Sequence, residues 1–231
     1  MSETRDPDDE EHGGSAPCFL HEIGPDGAPV DARQASDVAR WRKAERSRLI
    51  DLRSALPAED RAQHTAAIVR TLDELISAQA NEIVSAYWPI RAEPDLRSWM
   101  REACLRGLRL ALPVAVELGQ PLTFREWRPD SAMARGLWKI PYPATGPEVV
   151  PTTVLAPLVG FDSQCYRLGY GGGFFDRTLA AMRREPLVIG LGYPQLRIRT
   201  IFPQRHDIPM NWIITGDEPA MRRRPCSGDP A

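Results

Sequence analysis

Residues 167–177 read Arg-Leu-Gly-Tyr-Gly-Gly-Gly-Phe-Phe-Asp-Arg, and no other stretch restricts the fold as strongly. Gly169, Gly171, Gly172 and Gly173 fall within five positions. That density excludes the interior of a helix or strand, where glycine loses the most backbone entropy, and implies a loop whose backbone closely approaches something else. The apolar run 154–161 just upstream predicts a buried strand, and 174–182 predicts a helix. A strand, a glycine loop and a helix start together form an anion site, because bare amides point inward and the helix dipole favours negative charge. Arg167 and Arg177 bracket the loop with fixed positive charge suited to phosphate. Asp176 offers the single carboxylate that Mg2+ bound mainly through phosphates and water requires. No Gly-Lys-Ser/Thr follows, so this is not a P-loop, and the glycine spacing is wrong for a dinucleotide fingerprint. Taken alone, the run fits a structural turn as well as a nucleotide site.

The flanking chain alternates helices with short apolar strands. A helix is expected over 38–56, with Trp41, Leu49, Leu52 and Leu56 facing inward and Pro57 ending it. Arg42, Arg46 and Arg53 fall within about 40° of one another on that helix, a basic stripe that pattern alone reads as solvated. A second helix is expected over 58–78, with Ala62, Thr65, Val69, Leu72 and Ile76 on one face. Strand 83–88 runs into a loop carrying Glu93 and Asp95. Asp95 reads as a cap for helix 96–106, while a carboxylate beyond a strand end lies where open α/β sheets gather ligands. Strands are expected at 109–114, 122–125, 187–192 and 212–215. The alternation implies an α/β three-layer α/β/α sandwich around one core.

Charge divides the chain. Residues 1–37 carry ten acids against Arg5 and Arg33, whereas the remainder has 27 basic and 21 acidic residues, almost all the basic ones arginine. The acidic segment, polar and rich in Gly and Pro, is expected to be disordered apart from an apolar island at 18–23, and the basic body suits an anionic small ligand. Cys18, Cys104, Cys165 and Cys226 show neither zinc spacing nor a disulfide framework. No apolar run reaches membrane-spanning length and the acidic start is unlike a signal peptide, so a cytoplasmic protein without a membrane partner is expected. A monomer that engages no nucleic acid is the accompanying expectation.

The string at 167–177 resembles the signature of the 5-formyltetrahydrofolate cyclo-ligase (methenyltetrahydrofolate synthetase) family, usually Arg-Leu-Gly-x-Gly-x-Gly-Tyr-Tyr-Asp-Arg. The resemblance runs over 38–217, leaving 1–37 as an extension and 218–231 as a tail whose arginines 222–224 read as a solvated end. It implies a single-domain, mostly parallel NagB/RpiA/CoA-transferase-like sandwich. It further implies ATP-dependent closure of 5-formyltetrahydrofolate to 5,10-methenyltetrahydrofolate, through phosphorylation of the formyl oxygen and attack by the neighbouring N10, with Mg2+. Arg42 and Arg46 take the places of basic residues that reach nucleotide phosphates. The loop glycines Gly169, Gly171, Gly172 and Gly173, with Phe174 and Phe175, fall to nucleotide binding, and Arg167 and Arg177 to catalysis. Glu93, Trp138 and Tyr170 fall to the reduced folate, Asp176 and Asp207 to the metal. Gln195 sits where the family has a glutamine, and His206 reads as a loop histidine. This chain departs from the pattern with Phe174 and Phe175 for the paired tyrosines, Cys165 for a glycine and Thr152 for an aspartate. Those departures leave open a divergent paralogue that binds nucleotide or a pterin with altered activity, or a non-enzymatic binding protein.

Overall fold

The computed structural model describes residues 32–76, 82–217 and 219–224. Two compact units are distinguished, Met1–Arg40 and Trp41–Ala231, and the second contains the whole sheet. The apolar island at 18–23, Cys18, Cys226 and the expected end of the second helix lie outside the described residues.

Seven strands form the central sheet in the order β11-β10-β9-β6-β1-β2-β3. They are β1 (Ile83–Ser85), β2 (Arg109–Val114), β3 (Thr123–Trp127), β6 (Thr153–Pro157), β9 (Leu187–Leu191), β10 (Trp212–Ile214) and β11 (Met221–Arg222). Strands β10, β9, β6, β1 and β2 run parallel, and the two edge strands β3 and β11 run antiparallel to their neighbours. The chain builds outward from β1 to β2, then from β6 to β9 and β10 on the other side. Its topological switch therefore lies between β1 and β6, where open α/β sheets leave a crevice at the carboxyl edge.

Side-chain alternation divides the core into two layers. Leu155, Ile189, Leu191 and Ile214 face one side with Ile68 and Leu72 of α2 (Ala58–Leu75) and Trp99, Met100 and Ala103 of α3 (Arg97–Leu105). Val154, Ala156, Val188 and Ile213 face the other with Leu49 of α1 (Ala32–Ala55) and Leu179 of α4 (Phe174–Ala181). This is the expected three-layer α/β/α arrangement with a mostly parallel sheet. Asp95 accepts the Arg97 amide at 3.0 Å, but the N-cap of α3 is Leu96, whose side chain makes no cap bond, so Asp95 acts one residue ahead of the N-cap rather than as the expected cap. In α2 the buried face turns on Ile68 rather than Val69.

The apolar run 154–161 is not one strand. Leu158 N still donates to Leu191 O at 3.0 Å, but Val159 N donates to Leu168 O at 2.9 Å. The chain there leaves the sheet, and β7 (Gly160–Phe161) pairs with β8 (Arg167–Leu168) in a separate ribbon. A second ribbon, β4 (Met133–Arg135) with β5 (Pro141–Pro143), holds the aromatic segment. The expected solvated end instead contributes β11, with Arg222 exposed on its edge.

Candidate functional site

A cavity of about 590 Å3 opens at the carboxyl edge, lined by the exits of β1, β2 and β6, the glycine loop, α1 and the 136–142 segment. The α1 stripe turns inward: Arg42, Leu49 and Arg53 are buried and Arg46 half-buried. Packing does not explain so polar a buried face, but hydrogen bonding does. Arg42 Nε donates to Ile201 O at 2.9 Å, and its Nη atoms pair with Asp207 at 2.5 and 3.2 Å. Arg46 Nε donates to Gly169 O at 2.8 Å.

Arginine packing explains the glycine density. Gly171 and Gly173 take left-handed φ values of 93° and 63°. A Cβ at Gly173 would sit 2.7 Å from Arg177 Nη1, one at Gly171 3.2 Å from the Arg46 guanidinium, and one at Gly169 2.5 Å from Arg167 Nη1. Gly173 is the N-cap of α4, whose first amides have no intrahelical acceptor. Arg167 is buried and pairs with Asp176 Oδ2 at 2.8 Å, while Asp176 Oδ1 accepts from Ile208 N at 3.3 Å. The buried Nε atoms of Arg167 and Arg177 have no protein acceptor. Burial lowers the Arg167 pKa, and the nearby Asp176 and Asp207 charges oppose that.

At the β1 exit, Glu93 is buried. Its Oε1 accepts from the Tyr170 hydroxyl at 2.6 Å and its Oε2 from Ile90 N at 2.9 Å. Burial raises its pKa, against the pull of the Tyr170 hydrogen bond and the Arg53 charge. Asp207 shifts the other way: burial would raise it, but the bonds from Arg42 and Gln204 N outweigh that and hold it below the usual range. Trp138, 61% exposed, meets Phe174 edge-on with centroids 5.5 Å apart. Trp138 and Lys139 both have positive φ, 55° and 59°, a rarely populated conformation for either residue. Phe174 lies 5.7 Å from the Arg177 guanidinium and Phe175 5.0 Å from that of Arg167.

Arg42, Arg46, Glu93, Trp138, Arg167, Gly169, Tyr170, Gly171, Gly172, Gly173, Phe174, Phe175, Asp176 and Asp207 all line the cavity. Arg177 does not. One turn into α4, it folds back against Gly173, donates to Gly172 O and lies over the Phe174 ring. Gln195 is exposed in the turn Pro194–Leu196 and stands apart from the cavity, whereas His206 does line it. Sequence reasoning assigned no role to Arg53, although its helical phase matches Arg42 and Arg46. Arg91, which lies 5.5 Å from the Tyr170 ring, gave no signal at all. Two of the departures have structural settings. Cys165 has φ 64°, a conformation glycine takes freely, and burial pushes its thiol up to about 11. Thr152 precedes β6 and bonds Ile83, at the sheet edge opposite the cavity.

Among the described residues no group of three or more His, Cys, Asp or Glu side chains converges as a metal cage. Asp176 and Asp207, each paired with an arginine at the cavity wall, fit only an ion carried mainly by phosphates and water.

Comparison with known proteins gives one consistent result. The chain is 25% identical over 178 residues to the 5-formyltetrahydrofolate cyclo-ligase of Haemophilus influenzae, covering 74% of this chain and 95% of that protein. To the enzyme of that name from Mycolicibacterium smegmatis it is 30% identical over 140 residues, 57% of this chain and 72% of the other. The solved 5,10-methenyltetrahydrofolate synthetase of Aquifex aeolicus superposes with a TM-score of 0.69 at 25% identity, covering 82% of this chain and 96% of that one. The 5-formyltetrahydrofolate cyclo-ligase family model matches residues 38–216, spanning every strand from β1 to β10 and the whole cavity wall, and the chain belongs to that family.

Proposed function

We propose that this protein converts 5-formyltetrahydrofolate to 5,10-methenyltetrahydrofolate, with ATP hydrolysed to ADP and phosphate. The observation that carries the reading is the convergence, in one cavity, of an arginine-backed glycine loop with a buried carboxylate and aromatic walls. Formyl oxygen is a poor leaving group, and phosphorylating it lets the neighbouring N10 close the ring. Such chemistry needs positioning and charge neutralisation more than a nucleophile.

Arg42, Arg46 and Arg167 neutralise the triphosphate, with the glycine-loop and first-turn amides of α4 as additional donors. Arg177 keeps the loop in shape. Asp176 and Asp207 would hold Mg2+ beside the phosphates, and the ion would offset their negative charge. Glu93 and Tyr170 hold the pterin end of the folate, and Phe174, Phe175 and Trp138 enclose its flat rings and exclude water. Protonation of Glu93 would remove its negative charge and weaken it as an acceptor for a pterin N–H. We place the reaction in the cytoplasm, with a reduced folate as partner and one chain sufficient for activity.

The test is direct. Purified protein mixed with MgATP and 5-formyltetrahydrofolate is followed by absorbance of the methenyl product. ATP-dependent product formation, lost in Arg167→Ala, supports the reading. A folded protein that binds ATP but forms no product refutes it.

A further inference from the structure

We propose that Arg53 is a positioning residue for Glu93, acting through the Tyr170 hydroxyl to fix the carboxylate that meets the substrate's heterocycle. The proposal rests on the folate reading above and adds a residue which that reading does not use.

Arg53 is 0% exposed, and each of its nitrogens donates. Nε reaches Arg91 O at 2.9 Å, Nη1 reaches Leu158 O at 2.9 Å, and Nη2 reaches the Tyr170 hydroxyl at 2.6 Å. That hydroxyl donates in turn to Glu93 Oε1 at 2.6 Å. The direct Arg53–Glu93 separation, 3.8 Å, is too long for a hydrogen bond, so the phenol is the link between the two charges. Both hydrogen bonds of the phenol are charge-assisted, and such a chain fixes orientation more firmly than either bond alone.

The segment held this way is strained. Arg91 and Ala92, immediately before Glu93, have φ of 47° and 60°. Consecutive left-handed residues other than glycine persist only where the surroundings over-determine them. Here the surroundings are Arg53 on the Arg91 carbonyl, Glu93 N donating to Ile90 O at 3.0 Å, and Ile90 N donating back to Glu93 Oε2. Arg53 also holds Leu158 O, the point where the chain leaves the central sheet for β7. One guanidinium therefore joins the β1 exit, the β6 exit and the glycine loop, the three elements that meet around Glu93. A residue needed only to fill space would be apolar, since burying a guanidinium is costly unless it is paired.

Glu93 is faced by Arg53 from α1, Arg91 from its own turn, Tyr170 from the glycine loop, Tyr87 from the β1 exit and Tyr193 beyond β9. Tyr170 and Arg53 both favour the charged carboxylate. Removing either raises its titration midpoint and moves the acid limb of folate kcat/KM to higher pH.

The experiment uses the full chain as Tyr170→Phe, Arg53→Lys and Arg53→Met. KM is measured for each substrate, and Glu93 is titrated by carboxyl carbon NMR, its signal identified with Glu93→Gln. Tyr170→Phe should raise KM for 5-formyltetrahydrofolate about tenfold, the loss of one hydrogen bond to a charged group, with KM for ATP changed less than about twofold. Its Glu93 midpoint should rise. Arg53→Met should show the same pattern more strongly, and Arg53→Lys should recover part of it. Equal loss for both substrates with an unmoved Glu93 midpoint overturns the proposal and leaves Arg53 a packing residue. Should Arg53→Met fail to fold, Arg53→Lys decides: a raised Glu93 midpoint and folate KM support the proposal, and values equal to wild type overturn it. Should the wild type turn over no folate, the functional reading falls, while the Glu93 titration still decides whether the clamp exists.

Discussion

The arginines at the two ends of the cavity are bonded differently. At the glycine loop, Arg167 pairs with Asp176 yet keeps a buried Nε with no acceptor. At the Glu93 end, every nitrogen of Arg53 donates to the protein. A buried donor left without an acceptor costs about 1–3 kcal/mol. A guanidinium whose three nitrogens all bond protein acceptors ties the neighbouring elements together and makes its surroundings rigid. The loop end thus keeps a buried donor unpaired, while the Glu93 end is tied to three neighbouring elements.

The strongest break in this contrast is Arg167→Ala. It removes the proposed phosphate donor and leaves Asp176 without its arginine, with only the Ile208 amide still bonded to it. Calorimetry with MgATP should show affinity reduced by at least about tenfold, from the loss of a charge-assisted bond of about 1.5–3 kcal/mol. Equal affinity in a folded variant would move the phosphate end elsewhere.

Restoring the missing phenols sharpens the contrast with a smaller effect. Phe174→Tyr with Phe175→Tyr should raise kcat/KM about tenfold, for roughly 1.4 kcal/mol regained. The rings lie beside Arg167 and Arg177, with centroids 5.0 and 5.7 Å from the guanidinium carbons. Unchanged steady-state kinetics would mean that the pocket works through apolar rings alone.

Trp138→Ala removes the edge contact to Phe174, an interaction of about 0.5–1.5 kcal/mol. Folate KM should rise severalfold while calorimetric ATP affinity holds. A fall in ATP affinity of the same size would place Trp138 at the nucleotide instead.

The smallest effects are in the pH dependence of folding, and they oppose one another. Asp207 has a depressed folded pKa, so its contribution is complete above the unfolded value of about 3.9 and is lost as pH falls through the folded value. Glu93 has a raised folded pKa, so acidification through the range above about 4.3 favours the folded state at that site. Melting curves from neutral to acid pH should therefore show Asp207→Asn losing less stability than wild type and Glu93→Gln losing more. Parallel curves for all three proteins would remove both assignments.

Much of this molecule was legible in its residues. The glycine run excluded regular structure, Asp95 marked a helix start, and the apolar strands alternating with helices implied the layered sheet, because propensity, capping and periodicity act over a few neighbours. The phase of Arg42, Arg46 and Arg53 was equally plain. Their direction was not, because a charged helix face ordinarily meets water. Only the tertiary structure turned that stripe inward, by supplying carbonyls at Leu158 and Ile201, 105 and 159 residues away along the chain. The same holds where 154–161 changes partners midway, where residues 221–222 join the sheet, and where Arg177 folds back onto its own loop. A uniformly apolar run carries no mark of where its hydrogen bonds will be exchanged. Local chemistry determined which elements form, and long-range hydrogen-bond partners decided which polar groups are buried and what they hold.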